Sequence, residues 1–567
     1  MNTLSRRDFL KVLGVGSTAT AAALALTACG GNSTGGGSAG GSTGAATATA
    51  APQVNEDASV YEQTQAAGFI AAEVSIASGD PASFLPLKPA GGGKAILNEI
   101  YEPLCDQDGP SGELYGVLAK NWYWDGDDFY VELYDSIYDS AKNHLTANDV
   151  VWYYKRMQEE GYDDQKYNRY FNDCEVVSEY VAVFHAKPGD AGANVFQADN
   201  NLLRGACVVT QAAFEAASDM MATSPVATGR YKLTEYITGL SATIERVSDD
   251  EYWQKDLSVV GPQHQANVQK INYFFITEAA QVVNALKTGQ IDYASEISST
   301  AAAEFSASSD YTVYRFYSNR MFQTYFNCWA DGGCPLADIN LRAAICYAIN
   351  SDDILAAVGG EEFARRLYEF CVPGVQSYNS DCESWDSYYS KCDIDLAKEY
   401  LAKSSYNNQV LKIYYYTGEH AEMEEGVALT IGAALDQIGV KYDITPTTDA
   451  DNLNIPTNAN WDLLCTTTGA NGNALSLLGK FSTDQYEGGI GNWFDDTLNT
   501  MYKEFNTRTG ATAETNSKFQ QYLIENFYAY GTLEGILIDA WRSSKVANAT
   551  TKTFRNWTIP GAWVYVE

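Results

Sequence analysis

The chain has 567 residues, 46% of them hydrophobic and 13% aromatic, a length and composition that fold around more than one core. Its formal net charge of −35 excludes a nucleic-acid partner, whose phosphates need a basic face, and gives no attraction to anionic lipid. The acidity serves the solubility of an exposed surface.

In chain order, Ser5-Arg6-Arg7-Asp8-Phe9-Leu10-Lys11 supplies a charged start and Val12 to Ala25 a short apolar core, which together read as an export signal. The heptad looks like a twin-arginine signal, and the weakly hydrophobic Ala/Gly/Thr core suits that route. This core is shorter than the roughly 20 residues a membrane span needs. Leu26-Thr27-Ala28-Cys29 resembles a bacterial lipobox, so residues 1–28 are expected to be removed and Cys29 acylated. Gly30 to Pro52 contains Gly, Ser, Thr, Ala and Asn without a charge, and residues 29–60 are expected to be a flexible tether. Over about 30 residues such a chain reaches on the order of 30 Å.

Past the tether, short strands alternate with amphipathic helices, the pattern of an α/β fold. Thr146-Ala-Asn-Asp149 is a capping box opening a helix with Val150, Tyr153, Tyr154 and Met157 on one face. Ala279 to Lys287 reads as a helix stopped by Gly289, with a strand at Ile291–Ala294. One helix is predicted from Leu341 towards Val358, with Cys346 a buried thiol inside it, and another over Leu396–Leu401. Met423, Val427, Ile431, Leu435 and Ile438 have helical spacing, Gly439 ends the run, and Val440, Tyr442 and Ile444 alternate as a strand.

Ten cysteines follow Cys29, an even number that in an exported chain suggests disulfides. The local candidates are Cys328 with Cys334, flanking Trp-Ala-Asp-Gly-Gly, and Cys382 with Cys392. Without a C-x-x-C pair or an i, i+4 histidine pair, no metal site and no cofactor is expected. A hydrolase is the alternative from another class. His144, His185, His264 and His420 form no H-E-x-x-H, and the exported body past the Gly/Ser tether has no G-x-S-x-G elbow, so no enzymatic activity is expected.

The order of segments resembles family 5 of the bacterial extracellular solute-binding proteins, the peptide- and nickel-binding group serving ABC importers. The matching segments are Ser78-Gly-Asp-Pro-Ala-Ser83, Ile100-Tyr-Glu-Pro-Leu104, Leu118-Ala-Lys-Asn-Trp122, Leu145-Thr-Ala-Asn-Asp-Val150, Thr228-Gly-Arg-Tyr-Lys-Leu233, Ala285-Leu-Lys-Thr-Gly-Gln-Ile-Asp292, Tyr325-Phe-Asn327 and Asp338-Ile-Asn-Leu-Arg-Ala-Ala-Ile345. The resemblance implies a two-lobed α/β fold of the periplasmic-binding-protein kind, with an extra subdomain in the first lobe and ligand between the lobes. Lobe I would take residues 61–97, a subdomain at 98–225, and residues 226–316. Lobe II would span 317–540, and 541–567 would return to lobe I. It also implies an extracytoplasmic or periplasmic monomer, held to the membrane only by its acyl chain, that delivers a peptide or peptide-like solute to the permease subunits of an ABC importer. A peptide-signal receptor on the same fold is the alternative role.

Carried over residue by residue, the resemblance places Asp80 and Ser83 of the first lobe, and Tyr325, Asn327, Thr468, Asn471 and Trp493 of the second, against ligand. Arg365 and Arg366 offer a fork for a carboxylate. Peptide-binding members read Tyr-Asp, five variable residues, then Trp-x-Ala-Asp-Tyr, and the second Asp meets the peptide's amino group. Here Thr468 stands for the Trp, Asn471 for the anchoring Asp and Gly472 for the Tyr. Asn accepts a hydrogen bond but cannot neutralise an ammonium, so the preferred ligand is expected to be neutral or anionic at that end.

Overall fold

The computed structural model describes residues 73–88, 94–107, 114–162, 171–187, 207–254, 268–375, 377–417, 421–448, 458–470, 474–482, 489–507, 510–547, 549 and 563–564. The signal, Cys29, the tether, His264, His420, Asn471 and Gly472 lie outside the described residues.

Among the described residues, beside a short pair of Val546–Ala547 with Trp563–Val564, seventeen strands order the architecture: β1 Glu73–Ser78, β2 Cys105–Gln107, β3 Leu114–Gly116, β4 Ala119–Asp125, β5 Asp128–Leu133, β6 Phe171–Ser178, β7 Val181–Ala186, β8 Tyr231–Ile237, β9 Ser241–Arg246, β10 Lys270–Phe275, β11 Tyr293–Ala294, β12 Tyr311–Phe326, β13 Ala364–Arg366, β14 Leu411–Tyr416, β15 Tyr442–Thr447, β16 Leu463–Gly469 and β17 Ala529–Arg542. The main sheet runs β15-β14-β16-β12-β17-β11-β1-β10-β9-β8, with β13 added to β17. β4-β5-β7-β6 form a separate antiparallel sheet, and β2 and β3 pair alone.

Two long strands carry this sheet from one lobe into the other. Tyr311–Tyr317 of β12 pair with Ile536–Arg542 of β17 on the lobe I side, where β17 also meets β11. Met321–Tyr325 pair with Ala529–Glu534 on the lobe II side, where β12 also meets β16. The register breaks between Tyr317 and Met321. There Asn319 has φ 53°, a left-handed conformation that Asn tolerates better than most residues. Ser318 Oγ donates to the Gly535 carbonyl at 2.7 Å, and a Cβ at Gly535 would stand 2.9 Å from the Phe322 ring. Such a bulge bends and twists the ribbon at the point where the chain changes lobe.

Strand alternation decides the cores of lobe II. Phe322, Phe326, Leu463 and Cys465 face one way and bury against Val427, Ile431, Leu435 and Ile438 of the helix Ala421–Ile438. Met321, Tyr325 and Leu464 face the other way, against Phe370, Phe481 and Trp493. Lobe I has its own core of Val74, Ile76, Tyr101, Phe129, Tyr153, Ile271 and Tyr273. Each fully buried large side chain contributes roughly 1.5–3 kcal/mol.

The capping box is present: the Asp149 carboxylate accepts from Thr146 N at 2.8 Å, and Val150, Tyr153, Tyr154 and Met157 are buried. Gly289 and Gly439 end their helices with φ of 76° and 77°, as expected of C-terminal glycines. The predicted strand at Ile291–Ala294 shortens to Tyr293–Ala294, and the helix near 396–401 runs from Ile394 to Lys403. One expectation fails. The helix predicted from Leu341 towards Val358 is two helices, Ile339–Ala348 and Ser351–Ala357, because Asn350 takes an extended conformation and caps the second through its side chain to Asp352 N. Cys346 is a buried free thiol in the first.

Candidate ligand-binding site

The topology points both lobes at one place. In lobe I, β1 runs parallel to β10 and β11, and its carboxyl end leads along β17 towards the crossing. In lobe II, β14 is parallel to β15 and β16, and Gly469 at the carboxyl end of β16 pairs with Arg320 inside the bulge. Open α/β sheets bind ligands beyond the carboxyl ends of their parallel strands. Here the end of β16 reaches the bulge directly, while in lobe I Ala294 of β11 pairs with Ala540, from which β17 runs back to the bulge at residues 534–536.

That junction is held by charge. Glu534 is fully buried. Its carboxylate accepts from Arg365 Nε at 2.5 Å and from Asn319 N at 3.1 Å. The Arg365 guanidinium lies 3.7 Å from the centre of the Tyr317 ring, a cation–π contact. Burial raises the Glu534 pKa against the lowering pull of Arg365 and the Asn319 amide.

The structure distributes the sequence-predicted residues unevenly. Tyr325, Thr468 and Trp493 come together. Tyr325 is buried, with its ring 5.8 Å from Phe370, 6.4 Å from Phe481 and 6.1 Å from Trp493. Gln323 joins Tyr325 to Thr468: its Nε2 donates to Thr468 Oγ1 at 2.8 Å and to the Tyr325 hydroxyl at 3.4 Å. Sequence reasoning missed Gln323, although it shares the period-2 face of Met321 and Tyr325 as the one polar residue among apolar ones. Asn327 organises a loop, donating to the Asn458 and Trp461 carbonyls at 2.7 and 2.9 Å while its oxygen accepts from Asn492 Nδ2 at 3.0 Å.

Other predicted residues are occupied elsewhere. The Asp80 carboxylate accepts from Ala82 N at 2.8 Å, the Tyr236 hydroxyl at 2.8 Å and Gly239 N at 2.6 Å, tying the loop after β1 to the β8–β9 hairpin. Ser83 Oγ accepts from Leu85 N at 3.2 Å, a local turn. Arg365 and Arg366 do not form a fork. Arg365 serves Glu534, whereas Arg366 bonds the Asp352 carboxylate at 2.7 Å and the Tyr389 carbonyl at 2.8 Å within lobe II, because neighbouring side chains of β13 point to opposite faces.

The candidate disulfides are also corrected: all ten described cysteines are free. Cys382 Sγ lies 3.1 Å from the Tyr378 hydroxyl, while Cys392 is exposed with its thiol on the Ala348 carbonyl at 3.5 Å, so nearness in sequence does not join them. Between Cys328 and Cys334 the Trp329 ring folds over Gly332 and fills the turn, and Cys328 Sγ faces the Phe326 carbonyl at 3.5 Å.

Three buried carboxyls stand apart from this junction. Glu102 accepts from Trp253 Nε1 at 2.9 Å and from the Tyr252 hydroxyl, and burial pushes it up to about 7. Glu369 is pushed up to about 8 by burial, opposed by the Asn516 amide at 3.3 Å. Glu424, 1% exposed and with no partner for either oxygen, is pushed up to about 8 by burial alone. Among the described residues no three His, Cys, Asp or Glu side chains are grouped to hold a metal ion.

Comparison with known proteins agrees with this architecture. The model of the bacterial extracellular solute-binding proteins, family 5 Middle, matches residues 113–488. No curated protein sequence matches the chain. Among solved structures it is similar to the ABC transporter substrate binding protein CtaP from Listeria monocytogenes, with TM-score 0.72 at 19% identity over 88% of this chain and 100% of that one. It is also similar to the putative peptide binding protein AppA from Clostridium difficile, with TM-score 0.70 at 18% identity over 87% and 100%. A third is the periplasmic binding protein DppA from Helicobacter pylori, solved with the peptide STSA, with TM-score 0.66 at 19% identity over 90% and 100%. With the family model covering more than half of its length and the two-lobed fold shared throughout, the chain belongs to the bacterial extracellular solute-binding proteins of family 5.

Proposed function

We propose that this protein is a lipid-anchored extracytoplasmic receptor that captures a peptide or peptide-like solute between its lobes and delivers it to the permease subunits of an ABC importer. The observation that carries this reading is the two-strand crossing of β12 and β17, reached by the end of β16 and flanked by Tyr325, Trp493 and Thr468. Closing two lobes about such a crossing excludes water and strengthens polar contacts to the ligand, and preference for the closed form is what reports occupancy. Anchoring through Cys29 fits the lipobox and the tether, and among the described residues no helix is long and apolar enough to cross a membrane. The protein works as a monomer, and the ligand is neutral or anionic at the end that meets Asn471.

Native mass spectrometry of the purified protein tests the reading. A bound peptide-like mass, released on denaturation, is the expected result. Failure to bind any member of a broad peptide library, together with an empty native spectrum, refutes it.

A further inference from the structure

The amide of Gln323 holds a buried acceptor that nothing in the chain satisfies. The side chain is 1% exposed on the central strand β12. Its two N–H groups are both used, one towards Thr468 Oγ1 at 2.8 Å and the other towards the Tyr325 hydroxyl at 3.4 Å. Oε1 is therefore the remaining end of the amide, and it is buried without a donor. A carbonyl oxygen in that position bears its full desolvation cost, and native structures satisfy nearly all such atoms.

The surroundings match a ligand wall. Tyr325, which the amide reaches through its hydroxyl, packs against Phe481 and Trp493, so one polar group borders an aromatic cluster, the composition of small-molecule sites. Thr468 lies two residues before Ala470, whose N–H donates to the Asn319 carbonyl at 2.7 Å, so this wall is joined directly to the crossing where the two lobes meet. The partners of the amide are hydroxyls and its neighbours are aromatic, and an ammonium buried there would lack a counter-charge.

Building on the reading of this chain as a receptor for peptide-like solutes, we propose that Gln323 is a specificity-determining residue whose Oε1 accepts an N–H from a neutral amide at the leading end of the ligand. Thr468 acts through it as a positioning residue, holding one end of the amide so that the other is presented.

The test titrates the wild-type protein, Gln323→Met and Gln323→Glu with two pentapeptide mixtures of matched sequence, one N-acetylated and one with free amines. Calorimetry reads affinity, and urea unfolding checks that each variant is folded. The wild type is expected to prefer the acetylated mixture. Gln323→Met, which keeps the volume and removes the acceptor, should bind it about tenfold more weakly. Gln323→Glu should reverse the preference towards free amines. If Gln323→Met does not fold, Thr468→Val takes its place, with an expected loss of about two- to fivefold.

A wild type that binds the mixtures while both Gln323 variants keep its affinity and its preference overturns the inference and leaves the receptor reading standing. A wild type that prefers free amines overturns the neutral-amide assignment. A wild type that binds neither mixture overturns both.

Discussion

Glu424 offers a quantitative test of how this body is put together. It stands in the first turn of the helix Ala421–Ile438, 1% exposed, with neither carboxyl oxygen bonded, and burial pushes its pKa from 4.5 to about 8. A raised pKa means that the folded state holds the proton where the unfolded chain has released it. Its effect on stability is absent below pH 4.5, grows as pH rises from 4.5 to about 8, and is constant above. At about 1.36 kcal/mol per pH unit, ionisation of the unfolded chain alone costs the fold about 3 kcal/mol by pH 7 and about 4 kcal/mol by pH 8, as upper figures. Glu424→Gln keeps the shape of the protonated acid and cannot ionise. Urea unfolding of the two proteins at pH 5, 6, 7 and 8 should show near-equal stability at pH 5 and a variant that is increasingly the more stable above it. Glu102 and Glu369 add their own slopes, but these occur in both proteins and cancel in the difference. A gap that stays constant from pH 5 to pH 8 would show that Glu424 is ionised in the fold and refute the argument.

Removing Arg365 should strand the fully buried Glu534, so Arg365→Met is expected to lose about 3–5 kcal/mol in urea unfolding, while Arg365→Met with Glu534→Gln should recover much of it. Thiol accessibility should be sharply graded. Cys392 is exposed, whereas burial pushes Cys382 and Cys465 up to about 12 and Cys328 up to about 11, so brief iodoacetamide labelling of the native protein followed by peptide mapping should modify Cys392 first. Cys29→Ser should move the protein from the membrane fraction to the soluble fraction in a cell-fractionation blot, and retention in the membrane would refute acyl anchoring.

The local grammar of this protein, and its family, are legible in neighbouring residues. Caps such as Thr146–Asp149, helix stops at Gly289 and Gly439, and the apolar stripe Val427–Ile431–Leu435 are written in neighbouring residues, because capping and amphipathic periodicity act over three or four positions. The ordered family segments announced two lobes for the same reason: each is a local motif. Which polar groups remain available is settled when the chain folds. Asp80 looked available in the string but is taken by Tyr236 and Gly239, more than 150 residues away. Arg366 is likewise taken by Asp352, and Cys382 lies beside Tyr378, not Cys392. Gln323 was silent in sequence because its meaning depends on Thr468, which β-pairing brings from 145 residues further along the chain. A hydrogen-bond partner is a distance in space, and in a sheet whose neighbouring strands come from opposite ends of the chain, sequence spacing does not encode it.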